Sequence, residues 1–427
     1  MREDLLHFIW KYKKIQLKGL QTTKGEAILV ESVGTHNTNA GPDFFNAKLK
    51  IGNQLWAGNV EIHIKASDWY AHNHEVDENY SNVILHVVWE DDATIFRPDN
   101  SEIPTLELKK IISPAILKAY QNLFNTQNKN FINCEKEIGE VDQFLFQNWL
   151  DRLFVERLEK KSSFIFNLLE ESKNDWEQVL FVVLMKNFGS IINGESFFSI
   201  AKGIDYKVFK KICNDQLKTE SMLLGAAGLL DDKDILDSYY VRLNEEYSFL
   251  KKKFKVEDET VAKPSFYRLR PTNFPTIRLS QIASLYVKQQ TLFGALMRTT
   301  SLQEMYKIFN VTASMYWDDH YTFGKVSRKS KKKLTKSFIH LIVINTILPL
   351  RFCYAKHLGK DENEIITKII SSLQKEKNSI VDNFVRLTKS INSAKESQAI
   401  LQLYTNYCSK NKCLQCAIGS SLLGRNN

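Results

Sequence analysis

Glycine and proline are sparse, 17 and 8 in 427 residues, which excludes collagen-like and linker-rich low-complexity chains. No internal repeat is visible, which excludes a solenoid or propeller. A secretory leader is not apparent either: the opening, MREDLLHFIWKYKK, carries acids where such a leader needs bases, and charge interrupts its apolar stretch. The longest apolar run, FIHLIVINTILPL at 338–350, falls short of the roughly 18–20 residues needed to cross a bilayer. A cytoplasmic chain without a membrane partner is expected, and in that compartment cysteines serve as free thiols or metal ligands rather than disulfides.

What remains is ordinary globular composition, 43% hydrophobic and 25% charged, in a chain long enough for two or three domains. The net charge of +9 favours an anionic partner, nucleic acid before membrane.

Residues 1–12 pattern as a short helix with Leu5, Leu6, Ile9 and Trp10 on one face. Strand-like runs follow at 27–33, 44–51, 54–66, 83–90 and 105–111. Gly52-Asn53 marks a hairpin turn, and Gly58 a bulge. From Val141 onward the period is helical almost throughout, interrupted by Pro271 and Pro275, with helix restarting near Arg278. The expected class is α+β: a mixed α/β domain at 1–125 with a small, mainly antiparallel or mixed sheet, then a large all-α domain at 126–427.

The residue types that carry chemistry concentrate in GPDF (41–44) and VEIHIK (60–65). Side chains alternate along a strand, so Glu61, His63 and Lys65 share a face, and a hairpin brings Asp43 beside them. Two converging carboxylates suit Mg²⁺ or Mn²⁺, whose waters can attack a phosphodiester. A neighbouring His or Lys can orient that water or neutralise developing charge. Asp68, His72, His74 and His86 follow as accessory candidates. Their plainer readings are a turn cap for Asp68, solvated loop side chains for His72 and His74, and a core histidine for His86.

Pro42-Asp43, then Glu61-Ile62-His63, in the order helix, strand, hairpin, connection, strand, resembles the PD-(D/E)XK nuclease core. That resemblance implies metal at Asp43 and Glu61. The family usually carries Lys where His63 stands, so either His63 takes that role, Lys65 substitutes from the same face, or the site is not catalytic.

Of six cysteines, three form Cys408-x₄-Cys413-x₂-Cys416, and Cys134 is the candidate fourth ligand of a site for zinc or an iron–sulfur cluster. Cys213 and Cys353 lie in helical apolar patterns and read as small hydrophobes. A nuclease core followed by a distal cysteine cluster is similar to the iron–sulfur-stapled nucleases, although the spacing differs. Arg268, Arg270 and Arg278 can meet phosphates or pair with acids of neighbouring helices. The run at 327–336, with Arg328, Lys329, Lys331, Lys332 and Lys333, can contact a nucleic-acid backbone or stand as a solvated face.

Together, GPDFFNAKL, GNVEIHIKASDWYAHNH, NVILHVVWE, RLRPTNFPTIRLSQIA and YCSKNKCLQCAIG resemble a bacterial family catalogued as domain of unknown function 2851. The resemblance implies a two-part protein and leaves activity open. The leading expectation is a metal-dependent nuclease or phosphodiesterase acting on nucleic acid. The alternative is a non-catalytic nucleic-acid-binding or assembly protein on a degenerate nuclease core. A third reading makes the His/Asp group a transition-metal site for another hydrolysis.

Overall fold

The structure, a computed structural model, describes residues 1–125, 129–256, 262–388 and 391–424. The chain forms two compact units, Met1–Leu150 with Asp382–Lys389 and Leu401–Asn427, and Asp151–Val381 with Ser390–Ile400. The boundary expected at 125/126 touches residues 126–128, which lie outside the described set. The first unit instead runs on to Leu150 and takes in the C-terminal segment.

The first unit opens with helix α1 (Asp4–Lys11), which buries Leu5, Leu6, Phe8, Ile9 and Trp10. Its mixed sheet contains β1 (Leu20–Gln21), β2 (Ala27–Ser32), β3 (Thr35–His36), β4 (Phe44–Ile51), β5 (Gln54–Lys65), β6 (Val83–Glu90) and β7 (Thr105–Glu107). The order is β1-β2-β4-β5-β6-β7, with β3 beside β4. Pairing is antiparallel up to β4–β5 and parallel for β5–β6 and β6–β7. The α+β class therefore holds, with a mixed sheet. Strand β2 alternates buried and exposed residues, whereas the middle of β5 and nearly all of β6 are buried on both faces, as parallel central strands are.

Short helix α2 (Asp68–Ala71) lies in the β5–β6 crossover. Trp69, Tyr80, Val83, Val88, Ile95 and Ile103 form a buried cluster there. Helix α3 (Pro114–Phe124) starts with Pro114 at its first position, where the missing N–H is not needed. Ser113 caps it by accepting the Ala115 N–H.

Gly58 is required, but not as a bulge. A Cβ there would stand 2.5 Å from Ile84 Cγ2 and 2.6 Å from the Asn82 carbonyl, so the parallel neighbour approaches too closely for a side chain. The register irregularities fall beside it, between Phe44 and Ala47 and between Asn59 and Val60. Asn46, at φ +57, supplies the left-handed residue in β4.

The second unit is mainly helical. Asp175, Asp205, Asp215 and Asp237 cap four of its helices by accepting N–H groups of the first turn. The turn at Pro271–Asn273 precedes a helix at Pro275–Lys288, three residues earlier than Arg278 marks. The apolar run belongs to a longer helical stretch, Lys336–His357, with a mean hydropathy of 1.6. By length and composition it can cross a bilayer, unlike the shorter run alone, yet 72% of that window is buried inside the protein, as in a core helix. It includes a π-helical turn at Val343–Ile347, ahead of Pro349, where a proline ring would clash with a regular α-helical carbonyl.

Two of the expected phosphate contacts are corrected here. Arg278 is buried, donates to Asn273 and Gln281, and lies over the Phe338 ring. Lys332 is also buried, with its ammonium on the Asp318 and Ser330 carbonyls. Both hold their own fold together and present no cation to a ligand. Arg268, Arg270, Arg328, Lys329, Lys331 and Lys333 are exposed.

Gly58→Ala is expected to destabilise the protein by about 1–3 kcal/mol, the usual cost of overpacking. Denaturant unfolding checks this; an unchanged midpoint would show that β5 and β6 are less closely packed.

Candidate metal centre

Strand alternation places Glu61 and His63 on the same face of β5, and both are buried, at 5% and 2% exposure. His86 lies opposite Glu61 in the parallel register and is wholly buried. The crossover after β5 then returns over this face. His72 follows α2 directly, and a turn through Asn73, at φ +59, leads to His74. That turn is fixed by the His74 N–H donating to the Trp69 carbonyl at 3.0 Å. Trp69 is itself anchored, its indole N–H donating to the Phe96 carbonyl at 3.1 Å. His74 stacks on Tyr80 with ring centroids 3.7 Å apart.

As a result His63, His72 and His74 bring three ligand atoms within 4.8 Å of one another. His63 Nε2 lies 3.1 Å from His72 Nδ1. Glu61 Oε1 lies 3.5 Å from both His63 Nε2 and His74 Nε2. Donors at about 2.0–2.1 Å from one tetrahedral metal stand about 3.3 Å apart; the three measured separations are close to that, while the mutually close set is the three histidines, with Glu61 beside His63 and His74. Imidazole-rich sets suit zinc, copper, iron or nickel, and the Glu61 carboxylate adds an oxygen of the kind manganese takes, whereas Mg²⁺ prefers oxygen throughout. His63 and His74 are buried and His72 is exposed, so the pocket opens to solvent on one side.

Burial, then the neighbouring histidines, pushes His63 down to about 3, so it is neutral and its lone pair is available. Burial holds His74 down and His86 well down. Burial, together with the Asp43 carboxylate, holds Glu61 well above the usual carboxylate range, which is the behaviour of a buried acid lacking a cation. His63 Nδ1 lies 2.8 Å from His86 Nε2, the outer contact that orients a ligating imidazole.

Asp43 lies beside Glu61. Its Oδ2 accepts the Ile62 N–H at 3.0 Å, and its own N–H donates to Glu61 Oε2 at 3.0 Å. This reciprocal latch ties the entrance of β4 to β5 and aims the other Glu61 oxygen at the histidines. The loop before Asp43 wraps around Asn37, whose amide lies within 3.0–3.4 Å of the carbonyls of Asn39 to Pro42.

His7 of α1 lies 3.2 Å from Asp43 Oδ2. Burial opposes its charge, but Asp43 and Glu3 outweigh that and raise it above the usual histidine value. Sequence reasoning missed His7 because a lone polar residue on a helix with an apolar face carries no signal; the available clue was that six of the nine histidines precede residue 87.

The remaining sites separate. Lys65 is exposed, and its strand position pairs with Glu90. The Asp68 carboxylate accepts the Lys65 N–H at 2.9 Å and closes the turn into α2, so the plainer reading describes what it touches.

Replacing His86 with Phe is expected to weaken Mn²⁺ binding roughly 10–100-fold by loosening His63. Titration calorimetry reads this, with Mn²⁺ chosen because thiolates hold it poorly; an unchanged affinity would remove His63 from the ligand set. Metal binding must also displace the Glu61 proton, so affinity is expected to rise with pH through neutrality. Calorimetry in buffers of different ionisation enthalpy should register proton release in wild type; a pH-independent affinity would contradict it.

No curated protein and no solved structure matches the chain. A match does extend over residues 3–379 to the family described as Protein of unknown function (DUF2851), covering both the histidine pocket and most of the helical unit, and the chain belongs to that family.

Proposed function

We propose that this protein is a metal-dependent hydrolase of phosphodiesters whose metal is held by His63, His72, His74 and Glu61. The observation that carries the reading is the donor spacing: three imidazole nitrogens within 4.8 Å of one another and a carboxylate oxygen 3.5 Å from two of them, buried on one side and open on the other. The wider PD-(D/E)XK likeness supports a phosphoryl substrate, since the acid-bearing hairpin is followed by a parallel strand. On this reading the Asp43–Glu61 pair expected to share Mg²⁺ divides the work, with Glu61 as ligand and Asp43 as the group that positions it.

A zinc or manganese ion in this pocket would supply Lewis acidity and activate water near neutral pH. The chain's own groups do the rest. Glu61 and the histidines, on a strand and its crossover, would hold the ion. His7, kept charged by Asp43 and Glu3, is the group able to give a proton to a departing oxygen. The exposed side at His72 is where an anionic substrate enters.

Charge is divided along the chain. Residues 1–150 carry 15 Lys and Arg against 20 Asp and Glu, whereas residues 151–427 carry 43 against 29. The surplus that would attract a polyanion thus belongs to the helical part, where Arg268, Arg270, Arg328, Lys329, Lys331 and Lys333 are exposed. Nucleic acid is the substrate class these charges favour.

The test is hydrolysis of bis(p-nitrophenyl) phosphate and of single- and double-stranded DNA and RNA, with Mn²⁺, Zn²⁺ or Mg²⁺ added to metal-free protein. Activity is expected with Mn²⁺ or Zn²⁺, falling at least about 100-fold in His63→Ala and Glu61→Gln, the scale of a lost electrostatic or ligand contribution. His7→Gln should lower kcat by about 10²-fold or more and remove the alkaline limb of the pH profile. Nucleic-acid binding without metal-dependent cleavage, unaffected by Glu61→Gln, would replace this reading with the non-catalytic one.

A further inference from the structure

A second constellation lies in the same unit and plays no part in the histidine pocket. Cys134, Cys408, Cys413 and Cys416 line one small cavity, and all four are free thiols. The chain is shaped to bring them there. Cys134 opens a turn in which the Glu137 and Ile138 N–H groups return to its carbonyl. Cys408 and Cys413 each begin a short 3₁₀ turn, linked through Asn411 at φ +53. Cys416 immediately precedes the helix Ala417–Gly424, and its carbonyl receives the Ser420 N–H at 2.8 Å.

Gly419 allows this close folding, since a Cβ there would lie 2.2 Å from the Cys413 carbonyl oxygen. Hydrogen-bond donors point at the sulfurs. The Asn133 amide donates to Cys413 Sγ at 3.3 Å, and the Ile418 and Gly419 N–H groups donate to the Cys416 sulfur at the start of its helix.

Cys134, Cys413 and Cys416 are each less than a tenth exposed. Four converging sulfurs, two of them met by N–H donors, form the donor set of a thiolate-ligated metal centre.

Spacing separates two kinds of centre. A single zinc at about 2.3 Å from each sulfur requires sulfurs about 3.8 Å apart. Among the described residues His63, His72 and His74 are the one set of three whose ligand atoms lie within 4.8 Å of one another, so no three of the four sulfurs are that close together. A polynuclear cluster holds its cysteines in that way.

We propose that Cys134, Cys408, Cys413 and Cys416 ligate an iron–sulfur cluster, one per chain, that fastens the C-terminal segment to the turn at Cys134. This is independent of the histidine pocket and of any activity assigned to it.

The test is iron, zinc and acid-labile sulfide analysis with a visible spectrum on full-length protein purified anaerobically, beside Cys413→Ser and Cys353→Ser. Cys353 is buried in the helical unit outside this cavity. Wild type and Cys353→Ser should both carry roughly four iron atoms per chain with broad visible absorbance, and Cys413→Ser should lose both. Should Cys413→Ser fail to fold, the wild-type analysis still decides. Stoichiometric zinc without iron would overturn the cluster, and no metal of either kind would overturn the centre itself.

Discussion

A carboxylic acid and an imidazole two residues apart on a strand buried on both faces impose the condition that the rest of this site satisfies. Neither Glu61 nor His63 reaches water freely, and an uncompensated charge at either position would cost several kcal/mol. The structure surrounds them with groups that have few other roles: His86 behind, His72 and His74 in front, and the Asp43 latch at the side. Trp69 and Tyr80 enclose the histidines and fix their rings. In a protein that needed only a stable sheet, apolar residues at these positions would serve better. A buried polar network of this kind is what the proposed metal site rests on.

Much of this was legible in the sequence, because period-two alternation is a strong signal in half-buried strands. The helix at the start, the 44–51 and 54–65 hairpin with its Gly52-Asn53 turn, and the 83–90 strand all fall where alternation and turn chemistry place them. The shared face of Glu61 and His63 follows from the same period. The convergence of His72 and His74 on that face did not, because it depends on how a 17-residue crossover folds back, and local pattern does not encode that path. Asp43 was legible as part of the site, but its role was not: only coordinates show its carboxylate turned to the Ile62 N–H.

The helical unit shows the complementary failure. Arg278 and Lys332 look like surface cations in sequence because Lys and Arg are rarely buried. In the structure their charged ends are enclosed by amide and carbonyl partners. The first unit's return at Leu401–Asn427 was partly legible, since pairing Cys134 with the C-terminal cysteines already required distant segments to meet. The position of the break at Leu150 was not, since it falls within one continuous helix, Gln143–Glu171, where helical periodicity runs unbroken.

The central claim is the identity of the ligands in the histidine pocket. Crystals of the protein equilibrated with Mn²⁺, with anomalous diffraction recorded at the manganese edge, address it most directly. A single strong peak within bonding distance of His63 Nε2, His72 Nδ1, His74 Nε2 and Glu61 Oε1 is the predicted result. A peak bound instead by Asp43 and waters, or a pocket without manganese, would contradict the account.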